Sequence, residues 1–180
     1  MPNASIYLCQ VDSVLSIDDP ILDDLFRRLE IDNNRVGISR YGWRNALDRL
    51  LEMQNCPAAL ERAETLHVDI FIHRNREPLN PPSELLGLFA LVLDSMPNLG
   101  TIIWDMPCEQ TPLFGEALAA RNSKLPSIRS LSVGPFSEYL VPLCPNVDTL
   151  TYSPKEWHCD WKVKSGRPPP RELLVKAGSS

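Results

Sequence analysis

Three nine-residue stretches carry one pattern: Met96-Pro97-Asn98-Leu99-Gly100-Thr101-Ile102-Ile103-Trp104, Leu125-Pro126-Ser127-Ile128-Arg129-Ser130-Leu131-Ser132-Val133 and Cys144-Pro145-Asn146-Val147-Asp148-Thr149-Leu150-Thr151-Tyr152. Each reads apolar, Pro, Asn or Ser, aliphatic, any residue, Thr or Ser, aliphatic, any residue, large apolar. A weaker copy without the proline is Leu60-Glu61-Arg62-Ala63-Glu64-Thr65-Leu66-His67-Val68. The proline stops a preceding helix and the Asn or Ser makes a turn. The alternation that follows describes a short strand whose successive side chains face opposite ways. The anchor aliphatics Leu66, Ile102, Leu131 and Leu150 stand 36, 29 and 19 residues apart.

Helical patterns fill those intervals. Trp43, Ala46, Leu47, Leu50 and Leu51 recur at helical spacing before the first copy. The apolar run Leu85–Leu93 is about half of the roughly 20 residues that cross a bilayer, so it reads as a buried helix. Ser83 is its expected cap, with Glu84 in the first turn. Thr111-Pro112 marks the start of a helix through Arg121. Ser137 to Leu143 is a shorter one, held to about one turn by Pro142. Near the N-terminus, Asp19-Pro20-Ile21-Leu22-Asp23 opens an amphipathic helix expected to continue through Leu25, Phe26 and Leu29 and to cap the core.

Helix, turn and strand in alternation make an α/β fold with a parallel sheet. Two architectures fit: a short solenoid of stacked units, and a small doubly wound sheet. A motif recurring at the same point of every unit favours the solenoid. The expected organisation is an N-terminal capping segment over 1–40, a repeat region of about four helix–strand units over 41–152, and a C-terminal cap with a flexible tail over 153–180.

The aliphatic-x-x-aliphatic-x-apolar core of each copy (Leu99, Ile102, Trp104; Ile128, Leu131, Val133; Val147, Leu150, Tyr152) resembles the leucine-rich repeat. With its Pro-Asn entry and irregular spacing, it is similar to the divergent repeats of fungal F-box and leucine-rich-repeat proteins. That resemblance runs from Trp43 to Tyr152 and implies the substrate-reading arm of a ubiquitin-ligase adaptor. The sequence departs from the family in two places. The usual Asn or Cys after the strand is replaced by Phe71, Pro107, Phe136 and Lys155, and the N-terminus has no Leu-Pro-x-Glu-type start of an F-box.

Composition narrows the function classes further. The chain has 180 residues, of which 43% are apolar and 23% charged, the balance of a folded domain. A net charge of −5 lacks the basic footprint of a general nucleic-acid binder. Seventeen prolines favour many short elements over long helices. No basic start with an apolar run follows Met1, and five scattered cysteines form no Cys-x-x-Cys pair. Both features lead us to expect an intracellular protein, cytoplasmic or nuclear, without a membrane partner. There is no Gly-x-Gly-x-x-Gly, no phosphate-binding loop and no Gly-x-Ser-x-Gly, so no cofactor is expected.

Stacking the copies also assigns the other face of the strands. Its expected columns are Thr65, Thr101, Ser130 and Thr149; His67, Ile103, Ser132 and Thr151; and Asp69 with Asp105. His67, Asp69, Ile103, Asp105, Ser132 and Thr151 are therefore the candidate partner-binding residues, facing a peptide or protein. The two acids read as solvated surface carboxylates, or as a site for a partner's Lys or Arg. No metal set is advertised: His67 and His73 are too far apart on one strand to hold an ion together. His158 and Cys159 are adjacent, so in an extended chain they point apart, which argues against nucleophile activation. Trp157 and Trp161 share a helical face suited to closing the sheet's end. The basic, proline-rich stretch from Lys162 to Arg171 reads as a poorly ordered terminus. The expectation is a non-catalytic protein-interaction module. The alternatives are a small α/β enzyme using Asp69, Asp105 and His67, and a truncated scaffold without a specific task.

Overall fold

A computed structural model describes residues 26–32, 42–70, 72, 80–106, 110–134 and 136–152. Five strands lie side by side in chain order, each parallel to its neighbours: β1 (Arg28–Asp32), β2 (Thr65–Asp69), β3 (Thr101–Asp105), β4 (Ser130–Val133) and β5 (Thr149–Tyr152). The register is continuous. Leu29, Leu66, Ile102, Leu131 and Leu150 form one row across the sheet, and Ile31, Val68, Trp104, Val133 and Tyr152 form the next on the same face. The four copies of the motif are thus four adjacent strands of one ribbon. Among the described residues the strand order never reverses.

β1 corrects the expectation for the N-terminal segment. The helix ends at Arg27 and Leu29 belongs to a strand. Leu29-Glu30-Ile31-Asp32 alternates as strictly as the later strands do. Pairing with β2 buries Leu29 to 1% and Ile31 to 0% exposure. Buried Arg49 fastens this strand to the first helix, its Nε donating to the Glu30 carbonyl at 2.9 Å. The remainder of the expected N-terminal helix, and the segment over 153–180, lie outside the described residues.

The helices are α1 (Gly42–Gln54), α2 (Pro57–Arg62), α3 (Ser83–Asp94) and α4 (Thr111–Ala120), followed by a 3₁₀ helix over Glu138–Leu143 that contains Pro142. Two expected caps move by one residue. Pro82 precedes α3, and Ser83 is already helical. Gln110 precedes α4, while buried Thr111 turns its hydroxyl to the Met106 carbonyl at 2.9 Å. The short α2, with Pro57 in its first turn, is an element the sequence reading did not place. None of the helices among the described residues is long and apolar enough to cross a membrane.

The described helices pack side by side as one layer on the face that carries the anchor aliphatics. α1 packs on α3, α3 on α4, and α4 on the 3₁₀ helix. Between this layer and the sheet lies an aromatic cluster. Phe89 meets Trp104 and Phe114 edge-on at 5.3 and 5.2 Å, and Trp104 also meets Phe114 at 5.7 Å and Tyr139 at 6.3 Å. Such edge-to-face pairs add about 0.5–1.5 kcal/mol each beyond area burial.

The entry turns are linked by a repeated set of hydrogen bonds. The Glu64 carbonyl accepts from the amides of Gly100 and Thr101, the Gly100 carbonyl from Arg129 and Ser130, and the Arg129 carbonyl from Asp148 and Thr149, all at 2.8–3.1 Å. The motif asparagines extend the ladder. Asn98 Nδ2 donates to the Glu61 carbonyl at 2.6 Å, and Asn146 Nδ2 to the Pro126 carbonyl at 2.8 Å. In both cases the third residue of one copy reaches the second residue of the copy before it. Asn in the motif is therefore a tie between units as well as a turn former.

Two outcomes follow for stability. A Cβ on Gly115 would lie 2.6 Å from Tyr139 Cδ2. Overpacking of this kind costs about 1–3 kcal/mol, against about 1 kcal/mol gained from the better helix former. Gly115→Ala is therefore expected to lower the urea midpoint, yet to raise it when introduced beside Tyr139→Ala, a sign change that a double-mutant cycle reads directly. Alkali is the second lever. Burial pushes the Cys144 thiol up to about 11, and burial followed by the Glu138 charge raises Tyr152 in the same direction. Below the ordinary thiol range Cys144 is protonated in both states, so it leaves stability flat. Above that range the unfolded chain ionises first, so stability falls as pH climbs towards 11. Urea midpoints measured across that window should decline, and decline less in Cys144→Ala.

Candidate functional site

The face of the sheet away from the helices carries three rows. The first is Arg28, Thr65, Thr101, Ser130 and Thr149; the second is Glu30, His67, Ile103, Ser132 and Thr151; the third is Asp32, Asp69 and Asp105. The expected columns are all present, each extended by a residue of β1. Their exposure is graded. Asp105 is 4% and His67 9% exposed, Ile103 and Ser132 are half-buried, and Thr151 is exposed. The six candidate residues therefore separate into two places. His67 in the middle of β2 gathers with Asp69 and Asp105 at the carboxyl ends of β2 and β3, while Ser132 and Thr151 lie towards β5, with Ile103 between.

Asp105 is not a solvated surface acid, and His67 is not a surface histidine. His67 Nε2 and Asp105 Oδ2 are 3.1 Å apart, both buried. An ionised carboxylate can only accept, so the ring donates from Nε2. On its other side Nδ1 lies 3.2 Å from Glu30 Oε1, out of line for a hydrogen bond and sealed from solvent. Asp105 is thus 4% exposed with Oδ2 engaged by His67.

Sequence reasoning missed Glu30. The signal was present: Leu29-Glu30-Ile31-Asp32, Leu66-His67-Val68-Asp69 and Ile102-Ile103-Trp104-Asp105 share aliphatic, variable, apolar, Asp. The helix expected through Leu29 leaves Glu30, Ile31 and Asp32 in no element. With β1 in place, Glu30 and Asp105 flank the imidazole at 3.2 and 3.1 Å, and Asp32 and Asp69 pair in the next row. One ligand atom each from Glu30, His67 and Asp69 lie within 4.8 Å of one another. The expectation that no ligand set exists considered residues along one strand, whereas these donors come from two neighbouring ones.

His73, His158, Cys159, Trp157, Trp161 and the basic proline-rich stretch lie outside the described residues, as do Phe71, Pro107 and Lys155. Phe136, which stands where the repeat family has its Asn, is 54% exposed and held at φ +67°, a region that bulky side chains rarely enter.

Removing Asp105 tests its assignment as a buried partner of His67. Asp105→Ala strips a buried donor of its acceptor and should destabilise the fold by about 1–3 kcal/mol. Asp148→Ala, on an exposed acid 3.9 Å from Arg129, should change it by under about 0.5 kcal/mol. Equal small effects in chemical unfolding would return Asp105 to the surface. No protein-family model, curated protein or solved structure matches this chain.

Proposed function

We propose that the chain is a non-catalytic protein-interaction module, a short leucine-rich-repeat-like solenoid that receives a peptide or protein on its helix-free sheet face. One observation carries this reading. Parallel sheets are ordinarily covered on both faces, yet here the described helices form one layer, and Ile103, Ser130, Ser132, Thr149 and Thr151 stand half-buried or exposed on the other side. Their backbone groups are committed to the sheet, which leaves small hydroxyls and one aliphatic side chain available to a partner. Phe136 supports the same reading, because an exposed phenylalanine in the left-handed region stores strain without burying much apolar surface. The resemblance of the repeats to those of F-box proteins gives the proposal its specific form, a substrate reader of a ubiquitin ligase inside the cell.

A second reading rests on the His67–Asp105 hydrogen bond. It lies at the carboxyl ends of parallel strands, where α/β enzymes place their chemistry. A small enzyme built on Asp69, Asp105 and His67 would lose nearly all turnover when one carboxylate is removed. A binding module would lose affinity in graded steps as its open face is altered.

The test is affinity capture from the native cell. Wild-type protein should recover a ligase scaffold together with a substrate. The Ser132→Arg, Thr151→Arg double variant should fold normally and lose the substrate, and wild-type protein recovered alone would overturn the proposal. Phe136→Gly should raise the thermal midpoint while weakening capture, since it relieves strain and deletes an exposed apolar contact.

A further inference from the structure

We propose that Glu30, His67 and Asp69 form a binding site for a divalent transition-metal ion of the zinc class, with Asp105 as the residue that positions His67. The proposal stands independently of the interaction reading. It begins from an electrostatic conflict at the ring. His67 Nε2 donates to Asp105 Oδ2 at 3.1 Å, so the neutral ring carries its lone pair on Nδ1. That nitrogen is sealed from solvent, makes no hydrogen bond, and faces Glu30 Oε1 at 3.2 Å. Two acceptors are thus set against each other in a residue only 9% exposed. Positive charge must lie between or on them.

Two species can supply it: a second ring proton, or a cation bound by both groups. The surroundings favour the cation. Asp69 brings a further carboxylate oxygen to within 4.8 Å of the other two donors, and Asp32 pairs beside Asp69 in the same row. An imidazolium would pair with Glu30 and Asp105 alone, whereas an ion on Nδ1 and Glu30 also engages Asp69. A divalent ion carries twice that charge and can bond three donors at once.

The donor set selects the kind of ion. Imidazole nitrogen with carboxylate oxygens suits zinc and its neighbours, whereas magnesium and calcium prefer oxygen alone. Metal–nitrogen and metal–oxygen bonds of about 2.0–2.2 Å in a tetrahedron separate adjacent donors by about 3.3 Å. The Nδ1–Oε1 separation of 3.2 Å already matches such an edge. Rotation of the Asp69 carboxylate completes a three-ligand set with one position left for water. The carboxylate on the far ring nitrogen is the arrangement that orients metal-binding histidines and raises their basicity. Asp105, 4% exposed, meets that description.

The test uses Zn²⁺ itself, titrated into the full chain by calorimetry, with ¹⁵N spectra of the histidine rings recorded alongside. One ion per chain should bind at this site, shifting the His67 Nδ1 resonance and leaving Nε2 protonated. Glu30→Gln, at a side chain 46% exposed and therefore benign to folding, should weaken zinc binding about tenfold or more, as should His67→Gln. Asp105→Asn should weaken it about 10- to 100-fold and redistribute the ring tautomers, an effect that a purely structural role would not produce. Zinc uptake unchanged in both Glu30→Gln and His67→Gln would place the metal on other groups, His73 or His158 among them, and overturn the proposal. A doubly protonated His67 ring at neutral pH in zinc-saturated protein would overturn it equally, as would wild-type protein that takes up no zinc.

Discussion

The row of aliphatics through Leu29, Leu66, Ile102, Leu131 and Leu150 holds the rest of this molecule in place. In a parallel sheet side chains alternate with period two, so a slip of one residue in any strand would exchange its two faces. Each buried aliphatic contributes about 1.5–3 kcal/mol, and turning Glu30 or Asp105 into the core would cost several kcal/mol more. The two penalties act together on β1, β2 and β3, while on β4 and β5 the exposed-face residues are uncharged Ser and Thr. The entry-turn amides and the motif asparagines reinforce the same register from the strand ends, each hydrogen bond adding about 1 kcal/mol net.

Because the register is so strongly imposed, the open face is a consequence of it. Aligning the anchors aligns the residues between them, whether or not those residues stabilise the fold. At the β5 side this yields small hydroxyls at half exposure, a surface that costs little to leave open. At the β1 side it yields Glu30, His67, Asp69 and Asp105, a cluster of titratable groups with metal-ligating chemistry. The two ends of one face therefore have different physical characters: one suits broad contact with a protein chain, the other suits a small charged ligand.

Legibility followed the range of the interactions. The strands of the four motif copies could be read because proline, turn residue and alternation are local. The helices at Trp43, Leu85 and Thr111 could be read because their apolar spacing is local too. Ser83 and Thr111 were misread as caps because a hydroxyl near a helix start is ambiguous until its partner is known. For Thr111 that partner is the Met106 carbonyl. The expected N-terminal helix overran its end at Leu29 because Phe26 and Leu29 fit a helical stripe as well as the approach to a strand. A backbone edge on β2 available for pairing decided in favour of the strand.

From composition and spacing alone came the alternation of helix and strand, the parallel sheet it implies, and the membership of Ile103, Ser132 and Thr151 in one column. Those properties depend on neighbours within about ten positions along the chain. The tertiary structure alone decided that β1 joins the sheet, that His67 and Asp105 are buried against each other, and that Glu30 stands across from His67. The local patterns do not state which of these side chains touch or how deeply they are buried, since that geometry exists only once the register between strands is set.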